Sequence, residues 1–225
     1  MIAPGQTLEN PVTGERFEFI ETAATTGGEL LAFELGLRAG GGVPMQHVHP
    51  IQTERFEVVE GEMRFRVGGR AVDAGPGAVV EVEPGVRHGF ANPGDGYARV
   101  RVEVRPALAM EEMFAEVIAM AEAGRMTRRG MPRNLLDLAL LARTYDEEAH
   151  APFLGQRLQR FLLAPLVFAA RRLRRGARPA AAPVAQVALG AGRAPHRRRR
   201  AANTSGASRK RCRRWPRNGA CASSS

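Results

Sequence analysis

The first 175 residues of this 225-residue chain contain no lysine, no cysteine and no tryptophan. The one lysine (Lys210), both cysteines (Cys212, Cys221) and the only tryptophan (Trp215) all lie beyond residue 209. Most of the chain therefore has no disulfide framework, as suits a reducing compartment. Long apolar runs are missing too. The longest, Phe161 to Ala170, is ten residues long and includes Pro165, against the ~20 residues needed to cross a bilayer. No basic segment followed by an apolar run stands at the amino terminus, so no signal peptide is expected. These absences predict a cytoplasmic protein without a transmembrane segment.

Charge divides the chain in two. Residues 1 to 175 carry 21 arginines against 23 acidic residues, a net of −2, whereas residues 176 to 225 carry eleven arginines, one lysine and no acid, a net of +12. The overall charge of +10 thus belongs to the tail and says nothing about the body. With Ala-Pro repeats, four consecutive arginines (Arg197 to Arg200) and a serine-rich end, the tail has no periodicity and is expected to be disordered. Clustered arginine can bind phosphate nonspecifically, but no helix-turn-helix or other DNA-reading signature appears, and no specific nucleic-acid partner is expected. Arginine used without lysine also suggests GC-rich coding. A shifted reading frame in such DNA yields Arg, Ala, Pro, Gly and Ser, so the tail reads as frame-shifted or recently extended sequence.

Two blocks concentrate the chemistry. In the first, Gly41 is followed after five residues by His47, then by His49, by Glu54 after four more, and by Gly61 after six. In the second, Gly77 is followed by Gly85, His88 and Asn92. Residues i and i+2 of a strand share a face, so His47 and His49 project together, as do Glu54, Phe56 and Val58. Pro50 ends the first strand because it offers no amide to a ladder. Three imidazoles and one carboxylate would converge, a donor set suited to Fe, Mn, Ni, Co or Zn.

The paired blocks resemble the two signature motifs of the cupin superfamily in its small single-barrel form. Gly41 to Gly61 fits the first at every fixed position. In the second, Gly77, Gly85, His88 and Asn92 fit, while Glu83 stands where proline is expected and Pro84 follows it. The fold this implies is mainly β, a cupin-type antiparallel barrel (a jelly roll, or double-stranded β-helix). It also implies one divalent transition metal, a small-molecule ligand or substrate, and a homodimer. Short alternating runs agree with a barrel: Phe17 to Ile20, Leu31 to Arg38, Glu62 to Val67, Ala78 to Val82 and Ala98 to Val104, punctuated by glycine-rich turns.

A helical segment is predicted after the barrel. Apolar residues recur at helical spacing from Leu108 to Ala123, with Gly124 suited to the carboxyl cap. Asn134 could cap a second helix. Pro152 to Arg175 reads as a third, kinked or interrupted near Pro165. Its last turn, Arg171-Arg172-Leu173-Arg174-Arg175, could touch acidic lipid if its apolar face were free. Five of eight methionines (110, 113, 120, 126 and 131) fall in this segment, either as core or as an adaptable lid. The expected organisation is a barrel over 1–106, a helical extension over 107–175 packing on the barrel or on a dimer partner, and the tail over 176–225.

The site expected is a metal held by His47, His49, Glu54 and His88, facing a substrate pocket of Met45, Phe56, Phe65 and Phe90. Glu57 has the opposite parity from Glu54, and Arg64 and Arg66 flank Phe65 on the outer face, so no catalytic residue beyond the ligands is assigned. Metal-dependent dioxygenases are among the enzymes of the resembled superfamily. A non-catalytic binding or sensing barrel, and a barrel with a structural metal, stand as alternatives.

Overall fold

A computed structural model describes residues 1 to 176, except Pro44 and the side chains of residues 174 to 176. The tail read as disordered therefore lies outside the described residues. Nine strands and four helices follow in order: β1 (Thr7–Glu9), β2 (Arg16–Glu21), α1 (Ala23–Thr26), β3 (Leu31–Leu37), β4 (Thr53–Glu60), β5 (Met63–Val67), β6 (Arg70–Ala74), β7 (Val79–Val82), β8 (His88–Ala91), β9 (Ala98–Arg105), α2 (Met110–Glu122), α3 (Leu135–Thr144) and α4 (Gln156–Gly176).

Alternation in sequence becomes alternation in burial. In β9, Ala98, Val100, Val102 and Val104 are buried while Arg99, Arg101, Glu103 and Arg105 stand outward, so one period-two pattern builds a core face and a solvent face. The strands form a six-stranded antiparallel sheet ordered β1-β2-β3-β9-β4-β7 and a three-stranded one ordered β6-β5-β8. Their inner faces meet in an aromatic contact. Phe56 of the larger sheet lies 5.2 Å from Phe65 and 5.4 Å from Phe90 of the smaller one, centroid to centroid. Gly61 turns β4 into β5 at φ +75°, where a Cβ would stand 2.6 Å from the Tyr97 carbonyl; only glycine tolerates both conditions.

After β9, α2 lies against the barrel. Met110 and Ile118 are buried in the same core as the sheet residues, and Phe114 stacks on Phe17 (4.7 Å) and meets Phe33 edge-on (5.4 Å). Asn134 caps α3, its Oδ1 accepting from the Leu136 amide at 2.8 Å. The buried Asp146 carboxylate then ties α3 to α4, accepting from Arg143 (2.9 Å) and twice from Arg160 (2.6 and 2.8 Å).

The helix boundaries differ from those expected. Helix α2 begins at Met110, not Leu108, which sits at φ +49°. Helix α4 begins at Gln156 and runs through Pro165 without a break. Pro165 removes one hydrogen bond, to the Phe161 carbonyl, but it lies on the exposed side, where water can take the freed oxygen. The exposed edge strand β6 was not anticipated either.

Candidate metal centre

The segment that carries His47 and His49 is not part of a named strand, yet it is extended. His47 exchanges both backbone hydrogen bonds with His88 (2.9 Å each), and Val48 exchanges both with His150 (3.1 and 3.0 Å). The segment is thus held on both sides, and the two histidines flank Val48 on one face. Glu54 is the second residue of β4 and His88 the first of β8. In the turn before His88, Gly85 adopts φ +78° and donates its amide to the His49 carbonyl. The Glu83-Pro84 pair therefore leaves the turn able to present His88.

One ligand atom from each of His47, His49, Glu54 and His88 lies within 4.8 Å of the other three. The Nε2 atoms of His49 and His88 stand 3.2 and 2.8 Å from Glu54 Oε2, and those of His47 and His49 are 3.1 Å apart. All but His47 are buried. The opposite ring nitrogens are all engaged with backbone. His47 Nδ1 faces the Met45 carbonyl at 3.2 Å, His88 Nδ1 faces that of Val86 at 2.9 Å, and His49 Nδ1 faces that of Glu148. When Nδ1 donates to a carbonyl, a neutral ring turns its Nε2 lone pair to the other side. Here all three lone pairs would point at one another and at a carboxylate. Glu54 Oε2 and His88 Nε2, although 2.8 Å apart, are not aligned as a hydrogen bond, and neither makes one elsewhere among the described residues.

Such a cluster needs positive charge at its centre. Burial, reinforced by charge on His49 and His88, lowers the His47 pKa to about 3. Burial also opposes charge on Glu54, but the adjacent His49 and His88 outweigh it and hold the carboxyl well below its usual range. The same Glu54 charge overcomes burial at His49 and raises it. A divalent cation would neutralise the carboxylate and accept all three lone pairs. These four residues could hold a metal ion.

The cluster borders a cavity of about 550 Å³. His47, His49 and Glu54 line it together with Met45, Phe56 and Phe90; His88 and Phe65 do not. Phe65, 1% exposed, lies behind the wall, packed on Phe56 and 6.2 Å from Phe90. Met45 is 40% exposed, at a rim. Glu57 pairs with Arg55 (3.0 Å) and Arg64 with Asp73 (2.6 Å), both away from the cluster. Asn92 turns away as well and binds the loops, as described below. The helices contribute more of the wall than the sequence indicated: Met110, Met113 and Phe114 from α2, Met126, and Leu138 and Leu141 from α3. His150 and Glu148 were missed. His150 reaches the site through backbone pairing and Glu148 through a carbonyl, and neither contact has a side-chain signature in sequence.

Residues 33 to 104 match the family model described as "Cupin domain". The chain carries a cupin domain. Among solved structures, an RmlC-like cupin from Shewanella frigidimarina is 23% identical over 48% of this chain and 88% of its own, with a TM-score of 0.41. A predicted oxalate decarboxylase from Thermotoga maritima is 18% identical over 47% of this chain and 99% of its own, also at 0.41. A protein named KdgF from Halomonas sp. is 16% identical over 45% and 86%, at 0.40. No curated protein matches. The cupin match takes in both histidine-bearing blocks and ends before α2.

Proposed function

We propose that this cupin is a metal-dependent enzyme that acts on a small, partly apolar molecule, with dioxygenase chemistry as its reaction class. His47, His49, Glu54 and His88 would be the ligands, and Met45, Phe56 and Phe90 would contact substrate, with Phe65 supporting them from behind. The observation that carries this reading is that three of the four ligand residues face the apolar cavity. A purely structural ion is normally closed off by its ligands, whereas a reactive one keeps an open position. When bound, the metal supplies a Lewis-acidic centre and, if redox-active, the means of activating dioxygen.

The chain's own residues would do the rest. Glu148 and Val86 hold His49 and His88 by carbonyl hydrogen bonds, which fixes the ring orientation. The wall fixes the substrate and excludes water. Glu54 pairs with Val104, while Phe17 and Leu35 are level with Val100, four residues further along β9. The cavity touches both levels, a span of roughly 13 Å along the strands. Among the described residues, no lysine or arginine lines it. A fitting substrate has one oxygen head at the cluster, an apolar body, and no second anionic group. Among the other polar wall groups, the Tyr145 hydroxyl is engaged with Glu116 (3.0 Å), the Gln159 carbonyl oxygen with the Ala151 amide (2.9 Å), and Thr13 with Glu15 (2.8 Å), while the His150 ring, also in the wall, has its Nδ1 2.9 Å from the Ala151 carbonyl. A wall with few polar groups equally suits a non-catalytic binding protein, the second reading.

The test is metal content of the full chain by elemental mass spectrometry, followed by oxygen uptake with catechols, diketones and flavonols. Near one equivalent of iron, manganese, nickel or cobalt, lost in both His49→Ala and His88→Ala with the β-rich circular dichroism retained, is expected. Full metal in both variants would refute the ligand set. Stoichiometric metal with tight binding but no turnover of any such molecule would replace the enzyme by the binder.

A further inference from the structure

Helix α4 presents a second feature that the metal reading does not use. It packs along α3, and its buried residues are Gln159, Val167 and Ala170. The other side is apolar and bare: Phe161 is 75% exposed, Phe168 61%, and Leu158 and Leu162 49% each. With Pro165, also exposed, these residues recur at intervals of three and four, so they form one stripe rather than scattered positions. The helix contains six arginines and no acidic residue. At 100° per residue, Arg157, Arg160 and Arg171 fall along one flank of the stripe, and Arg172 closes its carboxyl end, lying over the Phe168 ring at 5.0 Å. Arg160 is spent on Asp146, but Arg157, Arg171 and Arg172 make no ion pair among the described residues.

We infer that this face of α4 docks on the surface of an anionic phospholipid bilayer. An apolar stripe with an arginine flank is the pattern of a helix lying in the interface, with its rings among the acyl chains and its guanidinium groups at the phosphates. No described helix is long and apolar enough to cross a membrane, so the helix lies on the surface and does not span it. Charge decides between lipid and a second copy of this chain. Two α4 faces laid together would oppose arginine with arginine and bring no acid to either, whereas an anionic headgroup layer answers the flank. The stripe is also continuous with the cavity. Leu162, one of its members, and Phe153, 75% exposed, both line the cavity. Docking would set that opening against the hydrocarbon, and an apolar molecule dissolved in the bilayer could enter without crossing water. The docking itself is independent of the metal and of any reaction.

The test is flotation of the full chain with vesicles of phosphatidylcholine alone or with about 30% phosphatidylglycerol. The arginine-rich tail could bind anionic vesicles by charge alone, so the deciding variant is F161S/F168S, which alters only exposed rings. Expected are binding to the anionic vesicles only, a fall on the order of tenfold or more in F161S/F168S, and an unchanged thermal melt. R171E/R172E should weaken binding comparably. No binding to anionic vesicles, or binding that F161S/F168S leaves intact, overturns the inference. So does a dimer in light scattering that F161S/F168S dissociates, which would assign the face to a second copy.

Discussion

Asn92 and His88 belong to the same motif, four residues apart, yet their side chains act on different parts of the molecule. His88 turns its Nε2 toward Glu54. Asn92, 2% exposed, puts its amide nitrogen within 3.2 Å of the Leu37 carbonyl, 3.1 Å of Arg38's and 2.8 Å of Gly96's, while its Oδ1 accepts from Gly94. It staples the end of β3 to the turn before β9. Asn92→Ala should therefore cost about 2–4 kcal/mol, since several buried carbonyls lose their donor at once, and should leave metal content at the wild-type level. Denaturant unfolding and elemental analysis together check this; loss of metal in a folded Asn92→Ala protein would show that the residue serves the site after all. The four candidate ligands were legible because a period of two converts spacing directly into a shared face. Depth was not legible in the same way. Phe65 has the inward parity expected of a wall residue, but parity does not say that Phe56 and Phe90 stand in front of it. Nor does sequence reveal that the Glu148 carbonyl, 99 residues away, orients His49.

At the scale of elements, the strands that could be read were those with two unlike faces. β9 and β4 alternate cleanly, whereas β6, exposed at four of its five residues, offers no alternation, because an edge strand has no second layer to bury against. The helices were legible as amphipathic segments, but not which surface they would meet. The structure has α2 on the barrel, with Phe114 wedged between Phe17 and Phe33. Phe114→Ala removes two ring contacts and opens a void beside the cavity. Because Phe114 is only partly buried, the expected loss is about 2–3 kcal/mol, below that of a fully buried ring. The consequence should extend beyond stability. Phe114 lines the cavity, so affinity for an apolar ligand should fall while metal content stays constant. Equilibrium unfolding and ligand titration on the same sample would show this, and unchanged ligand affinity would mean that the cavity's occupant does not reach α2.

For the whole molecule, charge and core separate at the same place. Residues 1 to 179 form one compact unit, and the aromatic core, the four candidate ligands and every cavity-lining residue lie within it. The body is nearly neutral, while the remaining sequence is strongly basic and has no apolar periodicity with which to bury a face. A sequence without apolar periodicity has little with which to offset the entropy of ordering its backbone, roughly 1–2 kcal/mol per residue. Removing residues 180 to 225 should accordingly leave the melting temperature within about 2 °C, since a shift of that size corresponds to less than about 1 kcal/mol in a domain of this length. Metal content should not change either. Vesicle binding should respond differently. The truncated chain keeps the α4 stripe and its arginines, so it should still float with anionic vesicles, but with a shallower dependence on salt, because fewer positive charges remain for salt to screen. A large fall in melting temperature would mean that the basic segment packs on the body. Complete loss of flotation, with the fold intact, would transfer membrane affinity from the helix face to the tail.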